Sequence, residues 1–253
     1  MPRRGHASVA LEAGTGLYLF DLGEPVGRQL LALRMPVERL KAAFISHMHV
    51  DHVGGLFQTI KNLDLYHNHP EYLPQVEALT IALPAEAVDA VKAFFIACHS
   101  FPERNPVKVS YIPVRQGPVY HDESISVTAL RSTHLDGLAS FLAAHPEYSP
   151  ARQAFSYEIK AEGRRVIYSG DLGEVGDIMA TAAGADLLIL EFGHLLPLDE
   201  NLERLAPLGI KKIILTHIFP AFTDKTAELQ EIADRVMPGV VTVAEDGLEV
   251  IVS

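Results

Sequence analysis

Hydrophobic and polar positions along the chain switch repeatedly between two periods. Tyr18–Asp21, Ala43–Ser46 and Leu63–Tyr66 are short apolar runs that predict buried strands. Between them, Val26–Leu33 and Val53–Lys61 repeat at helical spacing. Pro84 followed by Ala85–Phe95 predicts a helix with proline near its first turn. A strand-rich stretch comes next: Lys108–Ile112, Val119–His121 and Ile125–Leu130, with Gly117-Pro118 as a turn. Phe155–Ala161 and Arg165–Ser169 flank Glu162-Gly163, which predicts a hairpin. Leu187–Glu191 and Lys212–Thr216 have the composition of fully buried strands, each beside a helical segment. Helix Lys225–Val236 leads to strands Val240–Ala244 and Leu248–Val252 around Asp246-Gly247. Leu138–Ala154 shows no clear period, and a structureless loop of that size is more often functional than incidental.

The alternation of helix and strand predicts sheets covered by helices, an α/β protein. No repeat of fixed period and no break in composition appears, so residues 1–253 are expected to form one domain. With 48% hydrophobic residues the chain can bury a substantial core, and disorder is not expected. No apolar stretch reaches membrane-spanning length, and Met1–His6 is not followed by the apolar segment of a secretory signal. Cys98 is the one cysteine, which excludes an intrachain disulfide and a thiolate metal cage and fits a reducing cytoplasm. Next to an apolar run, it is expected to be a small core residue. The formal charge of −11 argues against a broadly basic nucleic-acid surface, though bound cations could still create a local phosphate site.

The strongest chemical signal is His47-Met48-His49-Val50-Asp51-His52, directly after the strand-like Ile45-Ser46. In an extended segment His47 and His49 project to the same side and can grip one ion. Asp51 and His52 follow as the chain turns and can serve a second. Gly54 and Gly55 let the backbone pass close to the site and start the next helix. A solvated or hydrogen-bonded histidine cluster is the bland alternative, but four such groups in a buried turn are costly without a metal. Three further candidates each follow an apolar run: His134, Asp171 and His217. Any one of them is weak, since an Asp after a strand is a common turn residue. Imidazole with carboxylate suits zinc first, and manganese or iron as well.

The ordered set of this motif, Ser-Thr-His134, Ser-Gly-Asp171 and Thr-His217 resembles the metallo-β-lactamase superfamily from about Ser8 onward. Phe155-Ser156-Tyr157-Glu158-Ile159, Val166 to Asp171 and Ala185 to Glu191 resemble its phosphodiesterase branch, which contains ribonuclease Z. The resemblance implies a four-layer αββα sandwich and two divalent metal ions. It implies His47, His49 and His134 on one metal, Asp51, His52 and His217 on the other, and Asp171 bridging.

Three features depart from the branch. The usual His-Glu-Ala-Thr segment is here Leu190-Glu191-Phe192-Gly193-His194, so Leu190 replaces a residue implicated in protonating the leaving group. His194 is the candidate replacement as general acid. Glu191 is a candidate for orienting His217 or His52, and Asp51 for a water base as well as a ligand. The interval from His134 to Asp171 lacks the long basic arm of transfer-RNA processing members. A Gly-rich first strand before Arg3-Arg4-Gly5-His6 is also missing, and Arg3 and Arg4 are expected to belong to a solvated terminus.

His67, His69, His99 and His121 are expected at surface or supporting positions. The expected substrate is a small molecule or short phosphodiester, with nucleic acid and a homodimer left open and no membrane involved. The alternatives are a carboxylic ester, thioester or lactone hydrolase on the same metals, and a metal-binding module without turnover.

Overall fold

In the computed structural model, which describes residues 4–69, 75–149 and 151–252, the chain divides into two units, Met1–Arg115 and Gln116–Ser253. The first unit runs β1 (Val9–Ala13), β2 (Gly16–Phe20), α1 (Val26–Ala32), β3 (Leu40–Phe44), α2 (Val50–Leu65), β4 (Ala78–Pro84), α3 (Val88–Ala97) and β5 (Lys108–Val114). Its sheet has the order β1-β2-β3-β4-β5, antiparallel at β1–β2 and parallel elsewhere. Helices α1, α2 and α3 are the crossovers that parallel pairing requires.

Helix α2 shows why these elements form. Val53, Leu56, Ile60 and Leu63 recur at helical spacing and are buried in the core of this unit with Leu17, Leu19 and Ile45. Fully burying one such leucine contributes roughly 1.5–3 kcal/mol. The same stripe explains why no strand forms at Leu63–Tyr66, as the pattern predicts. Leu63 extends the helix by one more turn, and Tyr66 N–H closes it on Asn62 O at 3.0 Å. The strand of this region is instead β4, a buried run that the pattern reading passes over. A short apolar run is ambiguous in period, and here tertiary pairing decides.

The second unit runs β6 (Gly117–His121), β7 (Ile125–Arg131), α4 (Ala139–Ala144), β8 (Phe155–Ala161), β9 (Arg164–Tyr168), α5 (Gly176–Ala182), β10 (Leu187–Phe192), α6 (Leu198–Leu205), β11 (Ile213–Ile218), α7 (Thr226–Val236) and β12 (Val241–Val243). Its sheet has the order β12-β11-β10-β9-β8-β7-β6. Strands β6 to β9 form an antiparallel meander, and β9 to β12 are parallel. The expected hairpin joins β8 and β9. Glu162 at φ 51 and Gly163 at φ 75 are both left-handed, as a primed turn requires. Leu188, Leu190, Phe192, Leu202, Ile213 and Leu229 lie in the core of this unit.

Several expectations change on this side. Gly117-Pro118 is not a turn: the pair begins β6, opposite Ala129 and Thr128, at the sheet edge where proline is tolerated. Residues 248–252 form no strand. Leu248 N–H turns back onto Glu245 O at 3.0 Å, and Ile251 is 84% exposed. Leu138–Ala154 is not structureless either, because α4 lies within it. Cys98 is exposed rather than in the core, since it follows the last residue of α3 at its open end. Arg3 and Pro70 lie outside the described residues.

Two mixed sheets with connecting helices make this an α/β protein, as expected. Among the described residues, no helix is long and apolar enough to cross a membrane.

Candidate metal centre

In the first unit the donors cluster where β3 ends and α2 begins. Extended His49 (φ −62, ψ 143) stands at the N-cap of α2, so Asp51 and His52 fall in the first helical turn. The helix therefore starts ahead of Gly54 and Gly55. Gly55 serves a close approach to the loop after β2 instead: an added Cβ would lie 2.7 Å from Val26 Cγ1 and 2.8 Å from Leu22 O. The ring of His47 lies 4.5 Å from that of His49 and 4.2 Å from that of His52, centroid to centroid. Asp51 Oδ2 is 3.9 Å from His52 Nε2.

Asp21, which the sequence reading treats only as the end of a strand, organises this cluster. It is buried, in a left-handed conformation at φ 55. Its Oδ1 accepts Ser46 N–H at 2.7 Å, and its Oδ2 accepts Ser46 Oγ–H at 2.7 Å. His52 Nδ1–H donates to Oδ2 at 2.7 Å, and His47 Nδ1 lies 3.0 Å from Ser46 Oγ. With the Ser46 proton committed to Asp21, His47 Nδ1–H is the donor to Ser46 Oγ. Both Nδ1 atoms then carry the proton, and both Nε2 atoms keep a lone pair for a cation.

In the second unit His134, Asp171, Glu191, His194 and His217 come together from four loops and strand ends. His134 Nε2 is 3.6 Å from Asp171 Oδ2, and His217 Nε2 is 3.7 Å from Asp171 Oδ1. His194 Nδ1 is 3.6 Å from Asp171 Oδ2 and 3.4 Å from Glu191 Oε1. His217 does not simply follow its strand but lies inside β11. The register steps from Glu191↔Thr216 to Phe192↔Ile218, so His217 is the extra residue of a bulge. Its φ of 48 is the backbone signature of that bulge, which re-aims the imidazole.

Surrounding groups hold these donors in place. Asp177, in the first turn of α5, accepts Thr133 N–H at 2.8 Å, Thr133 Oγ1–H at 2.9 Å and Gly173 N–H at 3.3 Å. Ser132 Oγ–H donates to Asp171 O at 2.7 Å, tying the His134 loop to the Asp171 loop. Glu191 Oε2 accepts the N–H groups of Gly193 at 2.5 Å and His194 at 2.9 Å, and Oε1 accepts Leu172 N–H at 3.2 Å. Glu191 thus holds the backbone of the His194 loop, and its carboxylate lies in the same donor group as His217. Leu190 is packed into the core, and His194 brings an imidazole beside Glu191. Asp21, Asp177 and Gly193 escape a sequence reading because their partners are distant along the chain.

The donor sets fit divalent metal. Ligands about 2.1 Å from one tetrahedral ion lie about 3.4 Å from each other. The separations of His134 and His217 from Asp171, 3.6 and 3.7 Å, are near this value and too long for direct hydrogen bonds. Asp171, Glu191, His194 and His217 each offer a donor atom within 4.8 Å of the others. His67, half-buried, and His69, His99 and His121, exposed, join no such group among the described residues.

Imidazole and carboxylate donors gathered at the strand ends of an α/β fold are a set that could hold divalent metal. A family model described as "Beta-lactamase superfamily domain" matches residues 16–218. The chain belongs to this superfamily, and it is a metal-dependent hydrolase of the metallo-β-lactamase fold. Ribonuclease Z from Archaeoglobus fulgidus is 25% identical over 293 residues, covering 96% of this chain and 90% of that protein. The metallo-β-lactamase fold protein YhfI from Bacillus subtilis superposes with a TM-score of 0.71 at 20% identity, over 96% of this chain and 90% of that one. Human tRNase Z, short form, superposes with a TM-score of 0.68 at 20% identity, over 100% of this chain and 95% of that one.

Proposed function

We propose that the protein is a two-metal phosphodiesterase resembling ribonuclease Z, with residues 1–253 acting as one catalytic domain. In this reading His47, His49 and His134 would hold one divalent ion, Asp51, His52 and His217 would hold the other, and Asp171 would serve both. The observation that supports this most is the division of Asp171: Oδ2 faces His134 while Oδ1 faces His217. A carboxylate serving one ion does not need histidines on both oxygens.

Zinc suits the nitrogen and oxygen donors, as do manganese and iron. When bound, such ions supply a nucleophilic water near neutral pH and stabilise charge on the phosphoryl oxygens. The protein's own part is to orient and to move protons. In this reading Asp51 accepts a proton from the attacking water as well as binding metal. His194, on the loop that Glu191 secures, donates a proton to the departing oxygen, the role that Leu190 cannot fill.

The substrate in this reading is a small or short phosphodiester. The excursion between β7 and β8 carries Asp136 and Glu147 against Arg152, a charge balance unsuited to gripping a transfer-RNA backbone. A reducing cytoplasm suits a chain whose single cysteine is exposed.

The test is a side-by-side assay of metal-loaded protein on bis(p-nitrophenyl) phosphate, a thioester and a lactone. The diester should be turned over fastest. Faster thioester or lactone turnover replaces the substrate class, while bound metal with no turnover on any of the three indicates a binding module.

A further inference from the structure

The excursion between β7 and β8 is rooted beside the Asp171 cluster and exposes aromatic rings. Ser132 N–H closes its base on Ala154 O at 2.9 Å, and Ser132 Oγ–H binds Asp171 O at 2.7 Å. His134 is the third residue of the excursion, and Arg131 Nη2 then grips both oxygens of Asp136 at 2.6 Å. From there α4 carries no fully buried residue. Phe141 is 52% exposed and Tyr148 is 55% exposed, a large apolar surface for so short a segment.

The rings are ordered against one another. Phe141 lies 4.4 Å from His145 and 6.3 Å from Tyr148, its plane only 14° from that of Tyr148. His145 Nδ1 is fixed by Glu147 Oε1 at 3.0 Å. These are neighbouring π faces, an arrangement that recognises a flat ring more readily than a phosphate chain.

We infer that Phe141, His145 and Tyr148 form a stacking platform for the nucleobase of a nucleotide whose phosphate occupies the metal centre. The inference rests on the phosphodiesterase reading for its substrate, but base binding can be measured without turnover. The attachment of the excursion at His134 and Asp171 supports a ligand shared with that centre, rather than a second copy of the chain.

The experiment titrates zinc-loaded protein with adenosine 5′-monophosphate and with ribose 5-phosphate by calorimetry. Stacking of one base should make the nucleotide bind about tenfold tighter than the sugar phosphate. Phe141→Ala with Tyr148→Ala should remove that preference and leave ribose 5-phosphate unaffected. The conservative pair Phe141→Tyr with Tyr148→Phe should retain it. Equal affinities in the wild type overturn the platform. So does an equal loss of both ligands in the alanine pair, or a change of oligomeric state in that pair without loss of base preference. If the base preference persists while bis(p-nitrophenyl) phosphate is not hydrolysed, the platform stands and the phosphodiesterase reading fails.

Discussion

Asp21 Oδ2 and His52 Nδ1 stand 2.7 Å apart, and both side chains are buried. This contact fixes which imidazole nitrogen of His52 remains available to a cation. Asp21→Asn preserves the volume but loses the charge that holds the Nδ1 proton. Zinc affinity, measured by chelator competition, should fall about 10–100-fold. Asp21→Ala should also destabilise the fold by roughly 3 kcal/mol, because Ser46 and His52 lose their acceptor in a buried site. Unchanged zinc affinity in the asparagine variant would remove Asp21 from the metal centre.

Asp171 carries the bridging argument, so its substitution should change metal stoichiometry as well as rate. On the proposed two-metal reading, Asp171→Ala should bind fewer than two ions per chain and should not turn over the diester. Asp171→Asn retains one good oxygen donor and should keep one ion better than the alanine variant does. Metal analysis by mass spectrometry checks both. Two ions retained in Asp171→Ala, with normal turnover, exclude the bridge.

Gly193 is needed for close approach. An added Cβ would overlap His217 Nδ1 and come 2.9 Å from His217 Cε1. Gly193→Ala should therefore displace the imidazole and weaken metal binding together with thermal stability. Gly184→Ala is the control. That site has φ +66 and open space, so it should cost only about 1–2 kcal/mol and leave metal content intact. Equal metal content in the two variants would separate Gly193 from the site.

The candidate donors stand out in the sequence because clustered histidines have few inexpensive structural roles, and because the motif, His134, Asp171 and His217 each follow an apolar run. The β8–β9 hairpin is legible too, since Glu162-Gly163 can adopt the left-handed pair that the turn demands. What escapes is whatever depends on partners far along the chain. Asp21 looks like the end of β2 until Ser46 and His52 are seen to converge on it. The period of Leu63–Tyr66 is settled by the stripe that begins at Val53, and that of β4 by its pairing with β3 and β5. Residues 248–252 have strand-like composition, but composition alone supplies no edge to pair with.

Asp186 gives the fold a pH-dependent element outside the metal centre. Lys211 Nζ donates to Oδ1 at 2.6 Å and Arg165 N–H donates to Oδ2 at 2.8 Å, and these hold the carboxyl below its ordinary value of 3.8. A lowered folded-state pKa contributes stability above about 3.8 that disappears as pH falls through the lower folded value. Asp186→Asn lacks this contribution. The melting-temperature gap between wild type and variant should be largest above pH 4 and shrink toward pH 2. A gap constant across that range would exclude the ionised carboxylate as its source.

His194 is the proton donor of the proposed reaction; Glu191 accepts its backbone N–H at 2.9 Å, and its Nδ1 lies 3.6 Å from Asp171 Oδ2. Proton donation matters most when the departing oxygen is a poor leaving group. An alkoxide leaving a dinucleotide needs the proton, whereas nitrophenolate leaves with little help. His194→Gln should accordingly lower kcat on a dinucleotide by about 100-fold or more, and on bis(p-nitrophenyl) phosphate by far less. A ligand role predicts the opposite signature, with both substrates losing rate equally and metal content falling. Measuring kcat on both diesters, with metal content determined on the same preparations, decides between them. Parallel losses would assign His194 to metal binding and leave the departing oxygen to be protonated by solvent.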